Sequence, residues 1–208
     1  MKFSKSIFII LIFLFGFGGY LTGQITEKKS SSLYKKVKYE TSLAYTKWTC
    51  ANQWWNKIEP YNIYLGALPL KNEGHFELIL GLGVTRILSM LESFELEDGW
   101  REIPVKAADW QKQGVEVEQI HAVDSCPLKL SEIERGVNYL AMNLEGSHTV
   151  YVHCKAGRGR SATIVIAYLM KHQKLSYEEA FHYVKKLRPK IHLSAAQQQA
   201  VLDYFAKR

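Results

Sequence analysis

Cysteine is scarce in this 208-residue chain, which contains only Cys50, Cys126 and Cys154. Three widely separated thiols without paired spacing argue against a disulfide framework and against a zinc site. The chain also lacks a Walker-type Gly-Lys-Ser/Thr segment, an internal repeat and a nucleic-acid-binding motif. We therefore expect no metal, no other cofactor and no nucleic-acid partner.

Arginine is absent before Arg86, whereas a mitochondrial presequence is amphipathic and rich in arginine. The N-terminus instead carries an apolar run of 15 residues from Ile7 to Leu21, preceded by two lysines. This run is shorter than the about 20 residues that cross a bilayer, and it also fits the core of a signal peptide, although no Ala-x-Ala site follows. We expect residues 1–23 to be an uncleaved membrane anchor; the alternative is a signal segment whose cleavage leads to export.

Composition changes after the apolar run. Residues 24–47 are polar and rich in serine and lysine, which predicts a basic linker. Residues 48–208 are enough for one compact domain. The hydrophobic fraction of 47% suffices for a core, and the formal charge of +7 suits an anionic substrate or a membrane surface.

Strand and helix patterns alternate along residues 48–208. Strands are predicted at 62–66, 85–90, 115–120 and 149–153, and helices at 75–82, 130–145, 160–172, 176–187 and 194–207. This alternation predicts an α/β domain with a mostly parallel central sheet that helices flank. Ligands bind at the carboxyl ends of the strands in such folds.

The segment VHCKAGRGRSA, residues 152–162, joins a buried strand to the start of a helix. Such a loop directs several unpaired backbone N–H groups at one point, where the helix dipole adds partial positive charge. Gly157 and Gly159 allow a tight turn and the close approach of an anion. We expect Cys154 to be a thiolate there, and Arg160 to bind two oxygens of a phosphate above the sulfur. The predicted phosphate-binding residues are Lys155, Ala156, Gly157, Arg158, Gly159 and Arg160.

Two other interpretations of this segment are weaker. A lone cysteine at the end of a strand is usually a small buried hydrophobe. Gly157, Gly159 and Ala162 also fit the spacing of a dinucleotide-binding fingerprint, whose acidic partner follows about 20 residues later. Glu178 and Glu179 stand near that distance, but the stretch between them and the loop is typical of two successive helices and offers no strand to carry an acid.

The pattern His-Cys-(five residues)-Arg-Ser resembles the signature of the cysteine-dependent protein tyrosine phosphatase superfamily, dual-specificity branch. Three further stretches, WWNKIEP (54–60), LGALPL (65–70) and IHLS (191–194), are similar to the mitochondrial-type members that dephosphorylate phosphatidylglycerophosphate. The resemblance implies a dual-specificity phosphatase-like catalytic domain over residues 48–208. It also implies a phosphocysteine intermediate at Cys154.

A cysteine phosphatase needs an acid that protonates the leaving alcohol and later activates water. Asp124 lies on a loop after a predicted strand, and the acid loop of the family falls at this point, with an aspartate shortly before a proline. Asp109, which precedes Trp110, is the alternative. We predict that Asp124 is the general acid and base.

Other side chains near the nucleophile are expected to support it. Ser161 is predicted to donate a hydrogen bond to the departing sulfur, and His153 to order the loop. Lys155 and Arg158 are predicted to form a basic rim, as in the lipid-directed members; the alternative is two solvated side chains. Cys126 is expected to be a small buried thiol, with a protective disulfide to Cys154 as the alternative.

These residues predict a metal-independent phosphomonoesterase whose favoured substrate is an anionic phospholipid such as phosphatidylglycerophosphate. A protein phosphatase for phosphotyrosine and phosphoserine or phosphothreonine is the enzymatic alternative, and an inactive phosphate-binding module is the non-enzymatic one. The expected partners are a phosphorylated lipid or phosphoprotein, and the membrane through residues 1–23. A working thiolate favours a reducing compartment for the catalytic domain.

Overall fold

The computed structural model describes residues 27–50 and 53–207. The chain divides into two compact units, Met1–Lys38 and Tyr39–Arg208. The anchor or signal segment predicted at residues 1–23 lies outside the described residues. None of the helices in the described ranges is long and apolar enough to cross a bilayer.

The second unit is an α/β domain. Its strands are β1 (Trp55–Lys57), β2 (Ile63–Gly66), β3 (Arg86–Leu91), β4 (Glu116–His121) and β5 (Val150–His153). The helices of the described chain are α1 (Glu27–Cys50), α2 (His75–Gly81), α3 (Ala107–Gln111), α4 (Leu130–Glu145), α5 (Arg160–Gln173), α6 (Tyr177–Leu187) and α7 (Ala195–Ala206). Short 3₁₀ helices cover Lys71–Glu73 and Ser93–Leu96.

The sheet has the strand order β1-β2-β5-β3-β4. Three neighbouring pairs are parallel, as the alternation of strands and helices predicts. β1 was missed, and it pairs antiparallel with β2, so the sheet is mixed. Three residues are too few for an alternating pattern to stand out, and the short connection between β1 and β2 permits a hairpin but no crossover to a parallel neighbour.

The central strand β5 places the predicted nucleophile. All four of its residues are buried, and successive side chains point to opposite faces of the sheet. Val150 and Val152 pack in the main core with side chains of the helices α4 to α7. Tyr151 packs on the opposite face in a cluster with side chains of α2 and α3, Ile79 and Trp110. Helices therefore flank the sheet on both faces, and β5 ends at its middle.

A linker was predicted at residues 24–47. The helix α1 covers Glu27–Cys50, so the described part of this segment is helical. Tyr39, Leu43 and Thr46 are buried, and their i, i+4, i+7 spacing forms one helical stripe. Tyr39 and Leu43 pack in a second core cluster with Trp54 and Leu68. These three buried positions pack the part of the helix from Tyr39 onward into the second unit, although the average composition of the segment is that of a linker.

Candidate active site

The loop from Cys154 to Gly159 connects β5 to the N-terminus of α5. Gly157 adopts a φ of 65°, which disfavours any side chain. A Cβ atom at this position would also collide with the carbonyl oxygen of Gly66 in β2. The tight turn predicted for this loop therefore depends on Gly157 for both its torsion angle and its packing.

Arg188, which follows the last residue of α6, donates hydrogen bonds to backbone carbonyl groups of the loop. Its side chain is 1% exposed. Its Nε donates to the carbonyl oxygen of Gly157 over 2.8 Å, and its Nη2 donates to that of Ala156 over 3.3 Å. A third hydrogen bond, from Nη1 to Asn56 Oδ1, ties the group to β1 over 2.8 Å. Arg188 was missed because an arginine at a helix end, before a proline, looks like a helix terminus and nothing more.

Cys154 is 3% exposed and lies at the bottom of the loop. Ser161 Oγ donates a hydrogen bond to Cys154 Sγ over 3.3 Å, which places Ser161 where it was predicted. Burial raises the pKa of a thiol, but the positive charge of Arg160 and the hydrogen bonds from Ser161 outweigh it and lower the pKa of Cys154 below its ordinary value. The site therefore favours the thiolate, which is the nucleophilic form.

Arg160 is held by a buried carboxylate that the sequence did not reveal. Glu95 is fully buried, and its two oxygens accept from Nη1 and Nη2 of Arg160 over 2.7 and 3.0 Å. The carbonyl oxygen of Ala122 accepts a further hydrogen bond from Arg160 Nη1 over 2.9 Å. A bidentate pair of this kind fixes the plane of the guanidinium. A glutamate among the polar residues after β3 gives no signal by itself of such a role.

Asp124 lies in the same site. Its Oδ1 accepts from Arg160 Nη2 over 3.0 Å, and its Oδ2 contacts Lys155 Nζ. Its backbone N–H donates to Glu92 Oε1 over 3.0 Å, which fixes the loop after β4. Asp124 also lines the cavity that contains Cys154.

The alternative acid, Asp109, is elsewhere. Its carboxylate accepts from the backbone N–H of Lys106 at the start of α3 and pairs with Lys71 Nζ over 2.7 Å. The residue is not among those that line the cavity with Cys154. Asp109 thus has a capping role in α3, and the structure brings Asp124 into the cavity that contains Cys154.

The two basic loop residues differ in their surroundings. Lys155 is 5% exposed and faces inward, where its Nζ contacts Asp124 and lies 3.8 Å from Glu95 Oε1. Arg158 lies at the rim, where its Nη2 contacts Thr49 Oγ1. Both members of the predicted basic rim line the cavity, but Arg158 is partly exposed whereas Lys155 is buried between carboxylates.

His153 is buried and Cys126 is exposed. Burial lowers the pKa of His153 to about 4, so that the ring is neutral at physiological pH and suits an ordering role better than proton transfer. Cys126 was expected to be a buried thiol, but it is exposed, and neither it nor Cys154 forms a disulfide. It follows a residue with positive φ, Ser125, in a loop turned towards solvent.

The cavity above Cys154 has a volume of about 440 Å³, within the range of about 300–1,000 Å³ that is usual for small-molecule sites. Its walls include residues that were not predicted. Ser42, Tyr45 and Thr46 come from α1, and Lys190, His192, Ser194 and Gln197 come from the segment between α6 and α7 and the first turn of α7. The site is therefore larger than the phosphate loop and is built from both ends of the second unit.

The chain is similar in sequence to known phosphatases. The family described as dual specificity phosphatase, catalytic domain, matches residues 89–207. The Arabidopsis thaliana phosphatidylglycerophosphate phosphatase PTPMT1 is 33% identical over 154 residues, which are 74% of this chain and 43% of that protein. The human phosphatidylglycerophosphatase and protein-tyrosine phosphatase 1 is 34% identical over 152 residues, which are 73% of each chain.

A solved structure agrees with these sequence matches. The crystal structure of PTPMT1 in complex with PI(5)P superposes with a TM-score of 0.65 at 32% identity. The superposition covers 74% of this chain and 96% of the other.

Proposed function

The chain belongs to the dual specificity phosphatase family and is a cysteine-dependent phosphatase, and on this premise we propose that it hydrolyses the phosphomonoester of an anionic phospholipid such as phosphatidylglycerophosphate. The observation that carries the proposal is the cradle of Cys154, Arg160 and the loop amides at the bottom of a cavity with a cationic rim. Relatives that cover about three quarters of the chain are named for that lipid.

We assign the first chemical step to Cys154. Its thiolate attacks the phosphorus atom while Arg160 and the backbone N–H groups of the loop bind the phosphate oxygens. An S–P bond forms and the P–O bond to the lipid alcohol breaks, with a proton from Asp124 supplied to the departing oxygen. The phosphate oxygens stay in contact with positive charge throughout, which stabilises the transition state.

Asp124 must be protonated to act in this step, yet its two oxygens contact Lys155 and Arg160. A phosphate dianion in the cradle competes for both cations and weakens their contacts with Asp124. The carboxyl group is then available to the departing oxygen. In the second step the resulting carboxylate takes a proton from water, which attacks the phosphocysteine and releases phosphate and the Cys154 thiolate.

Hydrolysis of phosphotyrosine and of phosphoserine or phosphothreonine is the second candidate. It is supported by the human relative, whose name joins a phosphatidylglycerophosphatase to a protein-tyrosine phosphatase. The inactive phosphate-binding module is disfavoured, because Cys154, Arg160 and Asp124 lie in one site. Attachment to a membrane through residues 1–23, or export after cleavage, stays a prediction.

A direct comparison of substrates tests the proposal. We expect the full chain to release phosphate from phosphatidylglycerophosphate with a kcat/KM at least about tenfold above that for a phosphotyrosine peptide, a difference of about 1.4 kcal/mol in transition-state binding. The Cys154→Ser variant should bind phosphate but release none from either substrate. A preference for the peptide would replace the lipid proposal with the second candidate.

A further inference from the structure

One wall of the cavity mouth is formed by α1, and this part of the helix is fixed to the catalytic unit. Leu43 is fully buried. Tyr39 Oη donates to the carbonyl oxygen of Glu95 over 3.2 Å, and Lys47 Nζ pairs with Glu102 over 2.8 Å. The side chains that α1 presents at the mouth therefore have defined positions relative to Cys154.

Two neighbouring aromatic side chains of α1 are exposed, and one of them lines the cavity. Tyr45, which lines the cavity, is 41% exposed, and Trp48 is 66% exposed. They are three residues apart on one face of the helix, with ring centroids 6.0 Å apart. Tryptophan and tyrosine are the side chains that lie at the headgroup level of membranes, because each has an apolar body and a polar group.

Two cationic side chains line the same cavity as Tyr45. The guanidinium carbon of Arg158 lies 5.1 Å from the centroid of the Tyr45 ring. Lys190 lines the same cavity, is exposed, and forms no ion pair with any residue in the described ranges. Exposed aromatic rings with positive charge beside them suit an anionic lipid surface.

We propose that Tyr45, Trp48, Arg158 and Lys190 form a docking surface that binds an anionic lipid bilayer and turns the cavity mouth towards the headgroups. The inference rests on the proposed function, because a lipid substrate stays in the bilayer and only its phosphorylated headgroup can reach Cys154. The rings enter the interfacial region, and the two cations lie against lipid phosphates.

Trp48→Ala tests this surface, with Met142→Ala as the matched control because Met142 is 72% exposed on α4 and is not among the residues that line the cavity. In the full chain, Trp48→Ala should lower kcat/KM about tenfold for phosphatidylglycerophosphate in vesicles that contain phosphatidylglycerol, about 1.4 kcal/mol. It should change kcat/KM for a soluble phosphotyrosine peptide less than about twofold. Met142→Ala should alter neither. Equal effects of Trp48→Ala on both substrates, or no effect on either, would overturn the proposal.

Fluorescence quenching measures docking without catalysis. Vesicles of brominated anionic lipids should quench part of the emission of the full chain, and this part should be missing in Trp48→Phe. Equal quenching of both proteins would contradict the docking surface. If the full chain released phosphate from the peptide but from no lipid, the proposed function would fail, and the quenching result would still decide whether the surface docks.

Discussion

Two positive and two negative side chains form ion pairs around Cys154. Lys155 and Arg160 face the carboxylates of Glu95 and Asp124 across contacts that are largely buried. Removing one member of such a group leaves a buried charge without its partner, which costs more than the interaction itself contributes. The arrangement keeps Arg160 in place before phosphate arrives.

Mutation can distinguish Asp124 from Asp109 as the general acid. Asp124→Asn should lower kcat by about 10²–10⁴, because the amide neither donates the proton nor activates water. Asp109→Asn should leave kcat unchanged and lower the free energy of unfolding by about 1 kcal/mol through the weakened cap of α3. Steady-state kinetics and chemical denaturation of both variants measure these effects. Loss of activity in Asp109→Asn with normal turnover in Asp124→Asn would reverse the assignment.

Glu95 and Arg188 belong to the site, but neither could be identified from the sequence. Each acts through the tertiary structure, Glu95 on the guanidinium of Arg160 and Arg188 on the carbonyl groups of the loop. Neither stands next to the phosphate loop in the chain. Without contacts in three dimensions, a buried ionised side chain cannot be told from an exposed one.

At the scale of secondary structure, α1 is the element that departs most from expectation. Its polar composition predicted a linker, but from Tyr39 onward it belongs to the catalytic unit, where Tyr39 and Leu43 pack in a core cluster. Helical stability in proteins comes mainly from the packing of one face rather than from propensity. The consequence for function is that Ser42, Tyr45 and Thr46 reach the cavity.

Truncation of Leu43 tests whether α1 is docked. Leu43→Ala should lower the free energy of unfolding by about 2–4 kcal/mol, because it removes a fully buried side chain and leaves a cavity. Leu202→Ala on α7, where the side chain is 41% exposed, is the matched control and should cost less than about 1 kcal/mol. Denaturant titration measures both. Equal small effects would mean that α1 is a linker after all.

Two buried histidines make the stability of the whole molecule depend on pH. Burial lowers the pKa of His75 and of His153 to about 4 each. His75 Nδ1 accepts from the backbone N–H of Leu70 over 3.2 Å, and its ring stacks on Trp54. Both rings are neutral in the folded protein at pH values where the unfolded chain already binds protons.

The unfolding free energy should therefore be largest above about pH 6.5 and fall as the pH drops towards about 4, by at most about 3 kcal/mol for each histidine. Denaturation at a series of pH values measures this slope. His75→Gln should remove about half of this slope, because His153 still contributes. His182→Gln, which alters an exposed histidine, should leave it close to that of the parent chain. A profile without any decline between pH 6.5 and 4 would contradict the prediction.

The sequence by itself determined the α/β class and the position of the loop between β5 and α5, and it predicted the nucleophile and the arginine of that loop. These features are local, since a buried strand, a glycine-containing turn and a helix start follow one another in the chain. Only the tertiary structure decided that Glu95 and Arg188 hold the site, that Asp124 rather than Asp109 enters it, and that α1 forms a wall of the cavity. Those outcomes depend on contacts between residues that are distant in the chain, where burial and charge pairing act and no local pattern records them.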